Sequence, residues 1–339
     1  MTAPTQDPIQ WASDANFTSG PRSGSPTKDA TMSAGVAAQG IVAGQTLKGD
    51  QLNQCLNNFS EWLMHAFTEL GVGVYGDGSD GALASGFGTL SLTRDMFYTD
   101  GAIGASDTIE TNGYRLHFTG TLTNDGDVNA NGADAPAGLG TGGAGASAGS
   151  LGGGTDGSAG GTNAIGASVS PGSAHLGGAG GEGGAANDGA PGSSVRAGGS
   201  AVSPTAAQGS IRSLGGYLGV LQDGTRVSGG AGGAGGSGGD TGTGGGGGGG
   251  GGMLVLAARA LVNNGTIRAH GGDGAAPVNG DALGNGGGGG GGGGVVLLVT
   301  RRHTGSGSVT ASGGAGGPGE LNGDDGSDGS AGEVIELQG

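Results

Sequence analysis

The sequence is poor in the side chains from which proteins usually build their cores and charged surfaces. Aromatic residues make up 4% of the 339 residues, charged residues 12%, and the only cysteine is Cys55. A single cysteine cannot form a disulfide within the chain, so disulfides do not hold the fold. Lysine occurs only as Lys28 and Lys48, and 28 acidic residues outnumber 12 basic ones. Nucleic-acid binding needs a basic surface, so this composition argues against that class of function.

Segments typical of membrane passage are also missing from the sequence. The first residues, Met1–Asp7, contain neither a basic stretch nor an apolar one, so we expect no secretory signal peptide. The longest apolar run of the C-terminal half, Val295–Val299, is far shorter than the roughly 20 residues that a membrane-spanning helix needs. We therefore expect no membrane insertion.

Glycine is the abundant residue, with 93 of 339 positions against an ordinary share of roughly 7%. A collagen helix is excluded, because glycine does not recur strictly at every third position and proline occurs only 10 times. The glycines concentrate after residue 120, whereas every aromatic residue except Tyr217 lies at or before Phe118. The last two thirds of the chain must therefore fold almost without large side chains.

Residues 1–49 are rich in proline and small residues, which predicts an extended arm rather than a helix. Trp11 and Phe17 stand out in it. Two interpretations remain open: a disordered tail with incidental aromatics, or an arm that orders on a partner and attaches through Trp11 and Phe17.

Residues 50–71 contain the clearest helical pattern, with Asp50 as a candidate N-cap and Gly71 as the stop. Apolar residues follow heptad spacing, which predicts packing against the chain's own domain, a short self-associating bundle, most simply three-stranded, or packing against a different partner. The seam residues are Leu52, Leu56, Phe59, Leu63, Ala66 and Leu70.

Residues 72–131 predict a β shoulder domain of short strands separated by turns. Tyr114, Leu116 and Phe118 alternate with polar residues, which is the period of a half-buried strand. Asn112-Gly113 and Asp125-Gly126 are turn dipeptides. The pattern favours the rungs of a β-solenoid or a small sandwich.

The remaining residues, 132–339, contain a repeat of 42 residues at 244–315. Nine glycines, Gly244–Gly252, precede the apolar stretch Met253–Ala257, and a second set, Gly286–Gly294, precedes Val295–Val299. The glycine runs could be flexible linkers. They could instead be packed polyglycine II helices with three residues per turn, whose backbones bond sideways to neighbouring segments. We expect the second alternative.

Catalytic and metal-binding patterns are weak. The five histidines are scattered without metal-ligand spacing, and no phosphate-binding loop precedes either lysine. Asp324, Asp325, Asp328 and Glu333 form an acidic cluster whose spacing does not match an EF-hand, and we interpret it as solvated turns. We expect no enzyme activity, no cofactor and no metal.

Several phrases of the sequence resemble glycine-rich appendage proteins of tailed bacteriophages. The resemblance covers most of the chain and rests on residues 11–17, 20–21, 25–28, 52–58, 74–81, 92–98, 111–116 and 120–124, with Trp62. It implies a virion structural protein, a fibre or spike, that forms a homotrimer and contacts other phage capsid or tail proteins. The projecting glycine-rich region would meet a host-surface glycan or protein.

The overall expectation is a mainly β protein with an arm and one helix at the N-terminal side, followed by β-rungs and a β-solenoid/polyglycine II region. A secreted or cell-surface glycine-rich adhesin is the main alternative function. An ice-binding protein and a glycan-cleaving tailspike are further alternatives.

Overall fold

The computed structural model describes residues 74–162, 177–186, 227–239, 242–278 and 284–338. These residues are mainly β-strand and extended segments, and none of them lies in a helix. Within the same ranges, no helix could cross a membrane. The strands are β1 (Thr89–Ser91), β2 (Met96–Tyr98), β3 (Gly101–Ile103), β4 (Thr108–Glu110), β5 (Leu116–Asn124), β6 (Asp127–Asn129), β7 (Met253–Asn263), β8 (Thr266–Arg268), β9 (Val295–Thr304), β10 (Ser308–Thr310) and β11 (Glu333–Gln338).

The strands form two sheets in which neighbouring strands run parallel. The larger sheet has the order β11-β9-β7-β5-β2, with β3 also paired to β5, and the smaller has the order β1-β4-β6-β8-β10. Along the chain a strand of the larger sheet is followed by one of the smaller, as in β5 then β6, β7 then β8, and β9 then β10. We call each such pair of consecutive strands, one from each sheet, a pass. Each pass therefore adds one strand to each sheet.

The predicted 42-residue repeat is confirmed as one such pass. Met253 of β7 pairs with Val295 of β9, and Thr266 of β8 pairs with Ser308 of β10, so both sheets keep the same offset. Strand β5 continues the stack against β7 with an irregularity between Phe118 and Thr121. The two sheets thus run without interruption from the predicted shoulder domain into the glycine-rich region.

Apolar side chains from both sheets form one core. The central residues of all five strands of the smaller sheet pack into it or against it, and three of them, Ile109, Val128 and Ile267, are completely buried. Alternate residues of β7 and β9 meet them, because successive side chains of a strand point to opposite faces. The larger-sheet members include Leu116, Phe118, Leu122, Leu254, Leu256, Leu261, Val296 and Leu298.

The strand predicted around Tyr114–Thr119 differs from the expectation in two respects. Strand β5 begins at Leu116, after a turn in which Asn112 has a positive φ of 49°. Arg115 and His117, expected on a half-exposed face, are buried with 8% and 1% exposure. They are buried because Arg115 pairs with Asp95 and His117 packs on Phe97.

Candidate functional site

The residues predicted for attachment and oligomerisation lie outside the described ranges. They are Trp11, Phe17, Leu52, Leu56, Phe59, Leu63, Ala66 and Leu70. Their roles stay predictions. The distinctive feature of the described residues is a bundle of extended, glycine-rich segments beside the sheets, which we call the glycine bundle. Its segments are 130–135, 141–147, 151–161, 177–186, 229–237, 244–252, 269–278, 286–294, 311–319 and 323–332.

The two nine-glycine runs lie inside this bundle and are not linkers. Every backbone N–H of Gly286–Gly294 donates a hydrogen bond to another backbone carbonyl, and every carbonyl of the run accepts one. The run Gly244–Gly252 lies beside it, since Gly245 donates to Gly286 over 2.9 Å and Gly248 to Gly289 over 2.9 Å. A buried backbone without internal hydrogen bonds needs such lateral partners.

The hydrogen bonds of the second run repeat every three residues. Each neighbouring segment accepts from one residue in three, as expected for a helix with three residues per turn. The donor–acceptor pairs are Gly286–Ser237, Gly289–Ala234 and Gly292–Ala231; Gly287–Asp324, Gly290–Ser327 and Gly293–Ser330; and Gly288–Ala275, Gly291–Gly272 and Gly294–Ala269.

Each run has six bonded neighbours. The run Gly286–Gly294 donates to segments 231–237, 269–275 and 324–330, and it accepts from segments 178–184, 245–251 and 314–317. The run Gly244–Gly252 is bonded in the same way to six segments. These are 130–133, 143–146, 155–161, 230–236, 272–275 and 286–292. Backbone therefore surrounds both runs on all sides.

This crowding explains why the runs contain glycine alone. A Cβ atom at Gly290 would lie 2.1 Å from the carbonyl oxygen of Gly314, and one at Gly291 would lie 2.0 Å from that of Gly249. Both distances are far inside van der Waals contact, and the obstructing atoms are backbone.

Glycines are spaced differently in segment 323–332, which is more exposed than the two nine-glycine runs. Its glycines, Gly323, Gly326, Gly329 and Gly332, occupy every third position and are partly buried against the bundle. The residues between them are exposed and carry side chains. The runs that backbone surrounds on all sides therefore contain only glycine, whereas segment 323–332, which touches the bundle on one side, has glycine at one position in three.

Carboxylates and hydroxyls accept hydrogen bonds from further backbone N–H groups of the bundle. The Oδ1 atom of Asp156 accepts from the amide of Gly145 over 2.8 Å, and that of Asp273 accepts from the amide of Ala315 over 2.7 Å. Within the predicted acidic cluster, Asp325 and Asp328 accept from the amides of Gly319 and Gly316. These carboxylates have a structural use.

A buried polar cluster lies where residue 74 meets β5. The ring of His117 stacks on Phe97 at 5.0 Å, and its Nδ1–H donates to the carbonyl of Val74 over 3.1 Å. Burial lowers the pKa of His117 from 6.5 to about 4, against the opposing effect of the Val74 hydrogen bond. The imidazole is therefore neutral at pH 7.

Beside it, Asp95 accepts from the backbone amide of Arg115 over 2.9 Å and from its guanidinium over 2.8 Å. Burial opposes ionisation of Asp95. The hydrogen bonds from Arg115 and Ser150 outweigh that effect and lower the pKa of the carboxyl group. Asp95 is thus an ionised structural residue.

One buried polar ladder follows the stacking of the passes. The Nδ2 of Asn124 donates to Oδ1 of Asn263 over 2.8 Å, and Nδ2 of Asn263 donates to the carbonyl of Ser308 over 3.3 Å. The similar phrases Leu122–Ala130 and Leu261–Ala269 already align these two asparagines in the sequence. The ladder ties together the turns between the two sheets.

Among the residues that the structure describes, no three histidine, cysteine, aspartate or glutamate side chains converge as metal ligands would.

Comparison with known proteins finds no matching family model, no matching curated protein and no matching solved structure.

Proposed function

We propose that the chain is a structural component of a bacteriophage virion appendage, a fibre or spike, and that it is not an enzyme. The observation that carries this proposal is the complete backbone hydrogen bonding of Gly286–Gly294 inside the glycine bundle. Nine residues in this conformation span about 28 Å. A block of such segments bonded on all sides is stiff, which suits a projecting body that must keep its form.

In this proposal the two sheets are a β-solenoid and the bundle is of the polyglycine II type. The arm, residues 1–49, attaches to other capsid or tail proteins through Trp11 and Phe17. The helix 50–71 assembles a trimer through its heptad seam. The glycine-rich region projects toward the host surface. The parallel stacking of β5, β7 and β9 and the threefold hydrogen-bond period support the first part, and the sequence patterns support the rest.

The test is immunogold electron microscopy and mass spectrometry of purified phage particles with an antibody against residues 74–338. We expect label on a projecting appendage, and we expect loss of label when residues 1–30 are deleted. A protein absent from particles and found on the bacterial surface would replace the proposal by the adhesin alternative. Release of reducing sugar from host polysaccharide by the purified protein would replace it by the tailspike alternative.

A further inference from the structure

A shallow groove of about 450 Å³ runs across three successive passes, at the turns that join the larger sheet to the smaller. Each pass contributes a triplet of one polar residue, one glycine and another polar residue. The triplets are Asp125-Gly126-Asp127, Asn264-Gly265-Thr266 and Ser306-Gly307-Ser308, and Ala105 completes the lining.

The glycines form the floor of this groove, which we call the turn groove. A Cβ atom at Gly265 would lie 2.0 Å from the carbonyl oxygen of Gly126, and one at Gly307 would lie 2.3 Å from that of Gly265. Side chains are thus excluded from the floor and stand on both walls. Neighbouring passes are spaced like paired strands, by roughly 4.8 Å.

The walls are held in place by hydrogen bonds across the passes. Asn264 donates to Oδ1 of Asp125 over 2.8 Å, and the hydroxyl of Thr266 donates to Oδ1 of Asp127 over 2.6 Å. The guanidinium of Arg268 binds the other oxygen of Asp127. The positions of these side chains are therefore set before any ligand arrives.

Polar atoms remain along the groove. Across the described residues, no hydrogen bond engages Oδ2 of Asp125, Oδ1 of Asn264 or the hydroxyls of Ser306 and Ser308 within the protein, and all four residues are exposed. Asp127 is neutralised by Arg268, so only Asp125 carries uncompensated charge. The groove thus offers acceptors at one end and hydroxyls at the other, and only Ala105 and the glycines are apolar.

We propose that the turn groove binds an uncharged, hydroxyl-rich glycan that lies along the stack of passes. The carboxylate and amide oxygens accept hydrogen bonds from sugar hydroxyls, and the serine hydroxyls donate or accept. A polycation would find one uncompensated carboxylate, and an anion would be repelled by it. A protein side chain would find no apolar pocket. This inference rests on the proposed function, because it names the chemistry of the host-surface partner.

The experiment uses the purified full-length protein on a printed array of bacterial surface glycans, followed by titration of the best binder as a free oligosaccharide. The variant Ser306→Leu fills the groove from an exposed position, and Asp125→Ala removes an acceptor without adding bulk. The matched control is Ser312→Leu, at an exposed position that does not line the groove. We expect wild type and Ser312→Leu to bind alike. We expect about a tenfold loss of affinity for Asp125→Ala and a larger loss for Ser306→Leu.

Binding that is absent from the array, or equal in all four proteins, would overturn the inference. Retention of only cationic glycans or basic peptides, abolished by Asp125→Ala, would also overturn it by assigning a cation site. Particle incorporation separates the two proposals. If the groove variants enter virions normally yet lose glycan binding, both stand. Glycan binding by a protein that never enters virions leaves the groove intact and removes the virion function.

Discussion

The two sheets and the glycine bundle bury their backbones by opposite means. In the sheets, side chains such as Leu254, Leu256 and Phe118 fill the space between layers, and ladder hydrogen bonds run within each layer. In the bundle, backbone fills the space itself, so that a Cβ atom on Gly290 would lie 2.1 Å from a carbonyl oxygen. Close packing therefore does not require large side chains, provided that every peptide group has a hydrogen-bond partner.

We expect the largest loss of stability from adding a side chain inside the glycine bundle. We expect Gly290→Val to cost about 4 kcal/mol or more, since overpacking costs about 1–3 kcal/mol and each lost backbone hydrogen bond about 1 kcal/mol. Thermal unfolding followed by circular dichroism measures the effect. Ala331→Val, at an exposed position of segment 323–332, is the control and should change little. Equal melting curves for the two variants, with fast amide exchange at Gly286–Gly294, would contradict the packed bundle.

The converse change removes a side chain from the sheet core. Leu256 on β7 is fully buried, so Leu256→Ala should cost about 2–5 kcal/mol by leaving a cavity. Leu139→Ala is the control, because Leu139 is 67% exposed and contributes little packing. Chemical denaturation gives both free energies of unfolding. A Leu256→Ala variant as stable as the control would show that the sheets, like the bundle, do not depend on side-chain packing.

In the sheets, we expect acid to destabilise the fold through His117. The pKa of this group is about 4 in the folded chain and near 6.5 when unfolded, so the unfolded state binds more protons between these values. The contribution of His117 to the free energy of unfolding is therefore fully present above pH 6.5 and falls by about 3 kcal/mol as the pH drops to 4. His117→Gln should flatten the pH dependence in this window, whereas Leu139→Ala, at an exposed position without a titratable group, should leave it unchanged. A wild-type curve that is already flat there would refute the assignment.

The smallest expected effect comes from the side-chain caps of the bundle. Asp156→Ala leaves the amide of Gly145 without its carboxylate acceptor and should cost about 1 kcal/mol. The amide of Gly145 should exchange faster with solvent, as hydrogen-exchange mass spectrometry would reveal. Asp324→Ala is the control, since its carboxylate makes no hydrogen bond to another described residue. No difference in exchange between the two variants would show that water replaces the cap without cost.

Much of the described fold could be predicted because repetition is visible in the sequence. The offset of 42 residues between Gly244–Gly252 and Gly286–Gly294 predicted that β7 and β9 are equivalent, and their register confirms it. The apolar stretch Val295–Val299 was also predictable as a buried element, and β9 begins at Val295. Local alternation was less reliable at β5, where Arg115 and His117 find partners from distant residues.

The candidate sites were less predictable. The turn groove is lined by residues from three passes, and the spacing of its triplets in the sequence does not predict a groove. The glycine bundle also includes segments 177–186 and 229–237, which show no clean repeat in the sequence. Their glycine spacing makes sense only once their neighbours are known.

The sequence by itself determined which stretches must be side-chain-free and which must be strands. A run of nine glycines can be packed only by backbone, and an apolar run such as Val295–Val299 must be buried. Tertiary structure alone decided which segments meet. A glycine N–H can find its carbonyl partner more than a hundred residues away, as Gly178 does at Gly293, and glycine carries no side chain that could specify it. That choice follows from the stacking of the sheets, which sets the position at which each segment enters the bundle.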